Sequence, residues 1–245
     1  DAKASCQPEV AIRLKNVSYG LLKNIDMDIH KGEIVGIGGL TDCGMHDLGK
    51  IMFGLIKPDR GHCELGDGTV INSSVTAIKK RMGYVAKDRD KEALMMGASI
   101  KDNICAPSLK KLSRHGLITN RRERAYVSQW AKALSIKMNN IDQYVRYLSG
   151  GNKQKVSVAK WVGFDADILI FDCPTRGIDI GVKAAIYQLL MDMKDQGKAI
   201  LMISEELMEI IGMSDRTLIL KDGVITGIFK RDEMLTEDKL IEYII

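Results

Sequence analysis

Apolar and polar positions largely alternate along Val10-Ala-Ile-Arg-Leu-Lys-Asn-Val17 and again from Ile25 to Ile29, which predicts two half-buried strands. Lys31-Gly32 supplies a turn, and the alternation then stops. Ile34-Val-Gly-Ile37 is a buried strand running into a glycine-rich loop. A helix from about Met45 to Phe53 follows, then a Pro58-Asp-Arg-Gly61 turn, a short hairpin around Gly66-Asp-Gly68 and an apolar strand at Met82 to Val85. From Ser99 to about Gly163 the period becomes helical; over Arg121 to Ile136 the residues Tyr126, Trp130, Ala133 and Leu134 can share one face. Strands and helices alternate beyond it. Ile168 to Phe171 precedes a helix over Val182 to Met193, with Ile186, Leu189, Leu190 and Met193 on one side, and then Ala199 to Ile203. A pair at Thr217 to Leu220 and Val224 to Ile228, turned by Asp222-Gly223, and a short helix from Glu237 close the chain. The pattern predicts an α/β fold: a mostly parallel sheet core covered by helices, with an antiparallel β subdomain at its N-terminal side and an inserted helical subdomain over about 99–163.

The 245 residues amount to one large domain or two small ones, and 45% hydrophobic with 28% charged residues exclude disorder and low-complexity architectures. Lys and Arg exceed Asp and Glu by 36 to 32, a formal charge of +4 with the signs interspersed, too weak and diffuse to argue for nucleic acid. No apolar run approaches the roughly eighteen residues of a membrane-spanning helix. Asp1-Ala-Lys-Ala-Ser-Cys6 has no apolar targeting core and no initiator Met, so residues 1–9 are expected to be a linker from a preceding segment. The five cysteines, Cys6, Cys43, Cys63, Cys105 and Cys173, are odd in number and lack a C-x-x-C, which suits a reducing cytoplasm. His30, His62 and His115 stand apart from one another and are expected at the solvated surface, as is the Arg121-Arg-Glu-Arg124 helix start.

Strand, glycine loop and helix at Ile34-Val-Gly-Ile-Gly-Gly-Leu-Thr-Asp-Cys-Gly-Met-His46 have the layout of a phosphate-binding loop, where backbone N–H groups and a helix N-terminus face an anion. Aligned on G-x-x-x-x-G-K-S/T, Gly39 and Gly44 fit. Met45 stands where a lysine would reach phosphate, however, and His46 where a hydroxyl would hold Mg2+. Asp42 would set a carboxylate inside the cradle, repelling phosphate and competing for the loop's N–H groups. The loop alone suits either a weakened phosphate site or a tight strand-to-helix turn. A dinucleotide fold fails, because Gly36-Ile-Gly38 is followed by Thr41 where a third glycine is needed.

Leu148-Ser-Gly-Gly-Asn-Lys-Gln-Lys155 and Ile168-Leu-Ile-Phe-Asp-Cys-Pro-Thr-Arg-Gly-Ile-Asp179 are more specific. Ser149 is a good N-cap, Gly150 and Gly151 let backbone N–H groups approach an oxygen, and the helix beginning at Asn152 points its positive end at the same place. These segments resemble the signature motif, Walker B strand and D-loop of ATP-binding cassette (ABC) ATPases, a family of P-loop NTPase fold. Pro174-Thr-Arg-Gly-Ile-Asp179, with Asn152 after the paired glycines, resembles the ribose/galactose class of bacterial sugar importers, in particular the second of their two fused cassettes. The likeness runs in order from Val10 to Ile245, with Gly83-Tyr-Val-Ala-Lys-Asp-Arg89 in the Q-loop slot and Met202-Ile-Ser-Glu-Glu206 in the switch slot.

The resemblance implies a nucleotide-binding domain over residues 10–245 that handles ATP and Mg2+ on the inner, cytoplasmic face of the membrane. Its implied partners are a second cassette fused on its N-terminal side, a transmembrane permease and, indirectly, a periplasmic or extracellular sugar-binding protein. Ser149, Gly150, Gly151 and Asn152 would grip the γ-phosphate held by the partner cassette, Asp179 would lie in the D-loop, Asp172 would hold Mg2+, and Tyr19 would stack on adenine, plain packing being the alternative for that ring.

The chain's own site departs from the family. Cys173 replaces the glutamate that polarises water, Glu205 takes the switch-histidine slot, and Lys87 stands where a Gln or an acid is usual. At roughly 1.5 to 3 kcal/mol per lost charged contact, two or three such losses weaken phosphate binding by about 10² or more. The expected function is therefore a cassette with a degenerate site of its own that completes its partner's. The rivals are a slow ATPase relying on backbone N–H groups and Asp172, and a non-transport regulatory module. If the loop alignment holds, His46, Asp172 and Cys173 lie close together, either as a zinc-type ligand set or simply as a pocket that has lost Mg-ATP.

Overall fold

The computed structural model describes residues 9–231 and 235–245, so the expected linker lies outside the described residues except for Glu9, and so does Cys6. In chain order the first elements are β1 (Val10–Tyr19), β2 (Leu22–His30), β3 (Ile34–Gly39), α1 (Met45–Met52), β4 (Arg60–Leu65), α2 (Ser74–Lys79) and β5 (Met82–Val85). Four helices follow, α3 (Ile100–Cys105), α4 (Leu109–Leu112), α5 (Asn120–Ala133) and α6 (Gly150–Phe164). The remainder is β6 (Ile168–Asp172), α7 (Ile180–Asp195), β7 (Ala199–Ile203), α8 (Leu207–Met213), β8 (Arg216–Lys221), β9 (Val224–Lys230) and α9 (Glu237–Ile241).

Two compact units emerge. One comprises the described residues up to Tyr84, Asp167–Cys173 and Tyr187–Ile245; the other comprises Val85–Ala166 and Pro174–Ile186. The first unit holds both sheets. β1 pairs antiparallel with β2 and β4 in the order β2-β1-β4. A second sheet has the order β5-β6-β7-β3-β8-β9, with β3 parallel to both β7 and β8 and β6 parallel to β7. The β8/β9 hairpin, by contrast, is antiparallel. Its turn, Asp222-Gly223, has positive φ at both residues, as the right-handed strand twist favours, and a Cβ at Gly223 would overlap the Leu21 carbonyl oxygen. The α/β architecture is the one the hydrophobic pattern predicts.

β3 is buried along its whole length, which explains its unbroken apolar character. Gly36 sits in it because α8 packs close: a Cβ there would overlap Ser214 Oγ and Ile210 Cγ2. A satellite core of Leu207, Ile219, Phe229, Leu240 and Ile244 anchors the last helix, which Thr236 caps.

The second unit is mainly helical. Val127 and Ala131 of α5 are buried, and so is Leu134 just beyond it, whereas Ala133 is exposed and does not share the face assigned from periodicity. The helix also stops short of Ile136, because Ser135 adopts a left-handed conformation, φ 49°. Gly163 of α6 lies under the Tyr126 and Trp130 side chains, where a Cβ would collide with both. Three elements escape the pattern. These are α2, capped by Ser73, then α8, and a π-helical turn at Arg89–Ala93 whose start is held by the Asp88 carboxylate accepting from the Asp90 and Lys91 N–H groups.

His30 is not simply solvated: its Nδ1 lies 3.1 Å from Glu33 Oε2, in a network that joins Arg216 to Glu33 and Asp28. His62 likewise meets Glu64. Cys43, Cys63, Cys105 and Cys173 are buried free thiols. No helix among the described residues is long and apolar enough to cross a membrane.

Two glycines should respond oppositely to alanine. Gly36→Ala overpacks the β3–α8 contact and should lower the free energy of unfolding by about 1–3 kcal/mol. Gly181→Ala, in helix α7 with open space around the new methyl, should raise it by roughly 0.5–1 kcal/mol. Urea unfolding followed by circular dichroism measures both, and equal effects would contradict the packing.

Candidate functional site

The loop from Gly39 to Gly44 joins the end of β3 to α1. Gly39 has no room for a side chain, since a Cβ would meet the Leu220 carbonyl oxygen and approach Cys43 Sγ at 2.8 Å. Gly44, at φ 98°, takes the left-handed conformation that precedes the helix, with Leu22 packed over it. Leu22 is the cross-strand partner of Tyr19, so the hairpin carrying Tyr19 meets this loop at Gly44. Asp42, within the loop, is exposed to solvent. The Cys43 N–H instead donates to the Leu40 carbonyl oxygen at 2.9 Å, closing a tight turn, and burial raises the pKa of the Cys43 thiol. Met45 is fully buried in the core.

His46 turns the other way. Its Nδ1 lies 2.7 Å from Asp172 Oδ1 at the end of β6, and its Nε2 lies 3.4 Å from Glu205 Oε1 just beyond β7. The second oxygen of Asp172 accepts a 3.1 Å hydrogen bond from the Tyr84 hydroxyl of β5. Asp172 is 0% exposed, so its charge is compensated within the protein rather than by water. Cys173 follows it with φ 48°, and one atom each from His46, Asp172 and Cys173 fall within 4.8 Å of one another. The expected proximity of these three residues is present. Tyr84 was not singled out from the sequence; the available signal was a tyrosine in an apolar strand, whose hydroxyl needs a buried partner.

The second unit carries the other constellation. Ser149 caps α6, its Oγ accepting from Asn152 N–H at 3.4 Å and from Asn152 Nδ2 at 2.9 Å. Both bonds use the oxygen's lone pairs, leaving the hydroxyl proton available to an incoming acceptor. Asn152 Oδ1 accepts from the Lys137 N–H and ties the helix start to the preceding loop. A Cβ on Gly150 would press on Arg89, whereas one on Gly151 meets only Ile178 at 4.0 Å. Arg89 donates to the Arg176 carbonyl oxygen, and the guanidinium also lies near Gly177, so this side chain links the signature glycines to the segment before Asp179. Asp179 is exposed and its carbonyl accepts from Val182 and Lys183 at the start of α7. Lys87 lies with Arg89 and Arg176 in a cleft of this unit.

The sequence profile of one family, described as ABC transporter, matches residues 22–176. The chain belongs to the ABC transporter family. The ribose import ATP-binding protein RbsA of Bacillus cereus (strain ZK / E33L) is 37% identical over 231 residues, covering 94% of this chain and 47% of that protein. RbsA of Bacillus subtilis (strain 168) is 40% identical over 216 residues, covering 87% and 44%. The chain thus spans about half the length of the curated relatives it matches. Among solved structures, the dimeric ATP-binding cassette MJ0796 in a post-hydrolysis state with ADP and Pi superposes with a TM-score of 0.80 at 24% identity, covering 91% of this chain and 100% of that one. The cbiO1 protein from Clostridium perfringens gives 0.74 at 22% identity, covering 96% and 94%. At these identities the likeness concerns the fold, which is that of an ABC cassette.

In this cassette the charge balance around Asp172 is testable. His46→Ala leaves a buried carboxylate with Tyr84 as its remaining neutral partner, and should cost about 3 kcal/mol of stability. Tyr84→Phe should cost less, about 1.5 kcal/mol. Adding Asp172→Asn to His46→Ala should restore part of the loss in urea unfolding; a purely additive double variant would show that the two side chains do not compensate each other.

Proposed function

We propose that this chain is the second cassette of the ATP-binding subunit of a ribose-type sugar importer, with its own nucleotide pocket closed and its signature motif lent to a partner cassette. The observation that carries the reading is the contrast between the two sites. Where the family places Mg2+ and the γ-phosphate, His46 bridges Asp172 and Glu205, while Met45 is buried. Mg2+ prefers oxygen ligands in near-octahedral array, and a ring nitrogen and a thiol beside one carboxylate do not fit it. At the signature, the Ser149 cap, the two glycines and the N-terminus of α6 are all in place. The 37–40% identity to ribose import ATP-binding proteins supports the transport role, and their double length leaves room for a fused first cassette on the N-terminal side.

On this reading residues 10–245 form one nucleotide-binding domain with a helical subdomain over about 99–163. The partners are the first cassette, a transmembrane permease and, indirectly, a sugar-binding protein, and the place is the inner face of the membrane. ATP and Mg2+ are bound mainly by the partner's loop. Ser149, Gly150 and Gly151 then bring a hydroxyl proton, N–H groups and a helix N-terminus to the γ-phosphate as the cassettes close. Tyr19, Gly39 and Gly44 keep the outline of a nucleotide site without its charged contacts.

The 245-residue chain alone should release phosphate from ATP at background rate, and Cys173→Ala should not alter that. In the two-cassette protein, Ser149→Arg or Gly151→Asp should abolish ATPase activity coupled to transport. Gly151→Asp is the cleaner variant, because open space and an acidic residue in a first helical turn leave the fold intact. Asp42→Ala, an exposed change in this chain's own loop, should leave most activity. Wild-type turnover in the signature variants, with loss in Asp42→Ala, would assign the working site to the wrong interface.

A further inference from the structure

The cluster at the end of β6 has a donor set of its own. Successive side chains of a strand point to opposite faces, so Asp172 and Cys173 would not ordinarily serve one point. The left-handed φ of 48° at Cys173, a conformation L residues rarely adopt, breaks that alternation. Imidazole, carboxylate and thiol atoms thereby fall within 4.8 Å of one another. Asp172 and Cys173 are buried and His46 is mostly so, at 16% side-chain exposure.

We propose that His46, Asp172 and Cys173 form a binding site for a zinc-type divalent transition ion at the position where the family holds Mg2+. Nitrogen, oxygen and sulfur donors match the borderline-soft preference of Zn2+ and its neighbours, and not that of Mg2+ or Ca2+. The surrounding groups are arranged as second partners of a metal site commonly are. Glu205 Oε1, 3.4 Å from His46 Nε2, would hold a ring proton on that nitrogen once the ion is bound, freeing Nδ1 as the ligand atom. The Tyr84 hydroxyl engages Asp172 Oδ2, which leaves Oδ1 for the ion. Tetrahedral bonds of about 2.0–2.3 Å put ligand atoms roughly 3.3–3.6 Å apart. His46 Nδ1 therefore retreats from its present 2.7 Å contact with Asp172 Oδ1 as the ion replaces the shared proton. Three protein ligands leave a fourth position for water or a small anion. The proposal concerns this chain's own residues and stands or falls separately from the transport role.

The test uses the 245-residue chain without a histidine tag, stripped with chelator and then titrated with Co2+ and Zn2+. The expected result is one retained Zn2+ per chain by elemental analysis, and a Co2+ form with tetrahedral d–d bands and a thiolate-to-cobalt charge-transfer band that excess Mg2+ does not remove. Cys173→Ser should abolish the charge-transfer band, and Glu205→Gln should weaken binding by about 10–100-fold. Should Cys173→Ser misfold by circular dichroism, His46→Gln replaces it, with the expectation that the charge-transfer band persists while the d–d bands shift and affinity falls. Substoichiometric retention by wild type, a charge-transfer band that survives Cys173→Ser, d–d bands unmoved by His46→Gln, or displacement by Mg2+ would each overturn the proposal.

Discussion

A fully buried carboxylate at the carboxyl end of a sheet is costly unless something meets its charge. Asp172 is that group here. Its two oxygens are taken by His46 and Tyr84, and His46 is itself shared with Glu205. The identities at the first residues of α1, at the end of β5 and beyond β7 are linked through this one requirement. With His46 against Asp172, a carboxylate facing its second nitrogen becomes favourable, and Glu205 supplies it. Substitutions that look like separate losses along the sequence form one compensated group in space.

The two constellations of the chain differ in what they leave open. Around Asp172 the His46 ring and the Tyr84 hydroxyl are matched by carboxylate oxygens, and the Cys43 N–H of the loop is taken by the Leu40 carbonyl oxygen. At the start of α6 the Ser149 hydroxyl accepts twice and still has a proton to give, and open space surrounds Gly151. A helix N-terminus concentrates partial positive charge, and nothing acidic occupies the first turn of α6. One site is satisfied by folding; the other is left needing an acceptor. This asymmetry is consistent with a cassette that contributes to catalysis through the surface it offers to another.

Much of the fold is written in local pattern. β7 begins and ends where alternation and apolar runs place it, β6 extends one residue past its apolar run to Asp172, and the Asp222-Gly223 turn follows from backbone preference. The helix boundaries near Ser135 and the exposure of Ala133 were not legible, because they depend on a left-handed residue and on which stripe the neighbouring helices cover. α2 and the turn at Arg89–Ala93 rest on single capping side chains, Ser73 and Asp88, too short-ranged to show as periodicity. For the site, the types and order of His46, Asp172, Cys173 and Glu205 were readable through family resemblance. The direction of each side chain was not: Met45 turned into the core and Tyr84 reaching Asp172 are consequences of packing.

The π-helical turn and the signature helix share one side chain whose geometry has a mechanical meaning. Arg89 leaves a short irregular turn, spans to the carbonyl of Arg176 and rests against Gly150. Three segments distant in sequence, near residues 89, 150 and 176, are thereby indexed to one planar group. The guanidinium donates in a fixed direction to the Arg176 carbonyl, while its other edge occupies the space a side chain at Gly150 would need. The segment around Gly177 and the start of α6, which Ser149 caps, thus share one neighbour in a part of the chain that precedes both, and a change of side chain at position 89 alters the surroundings of both at once.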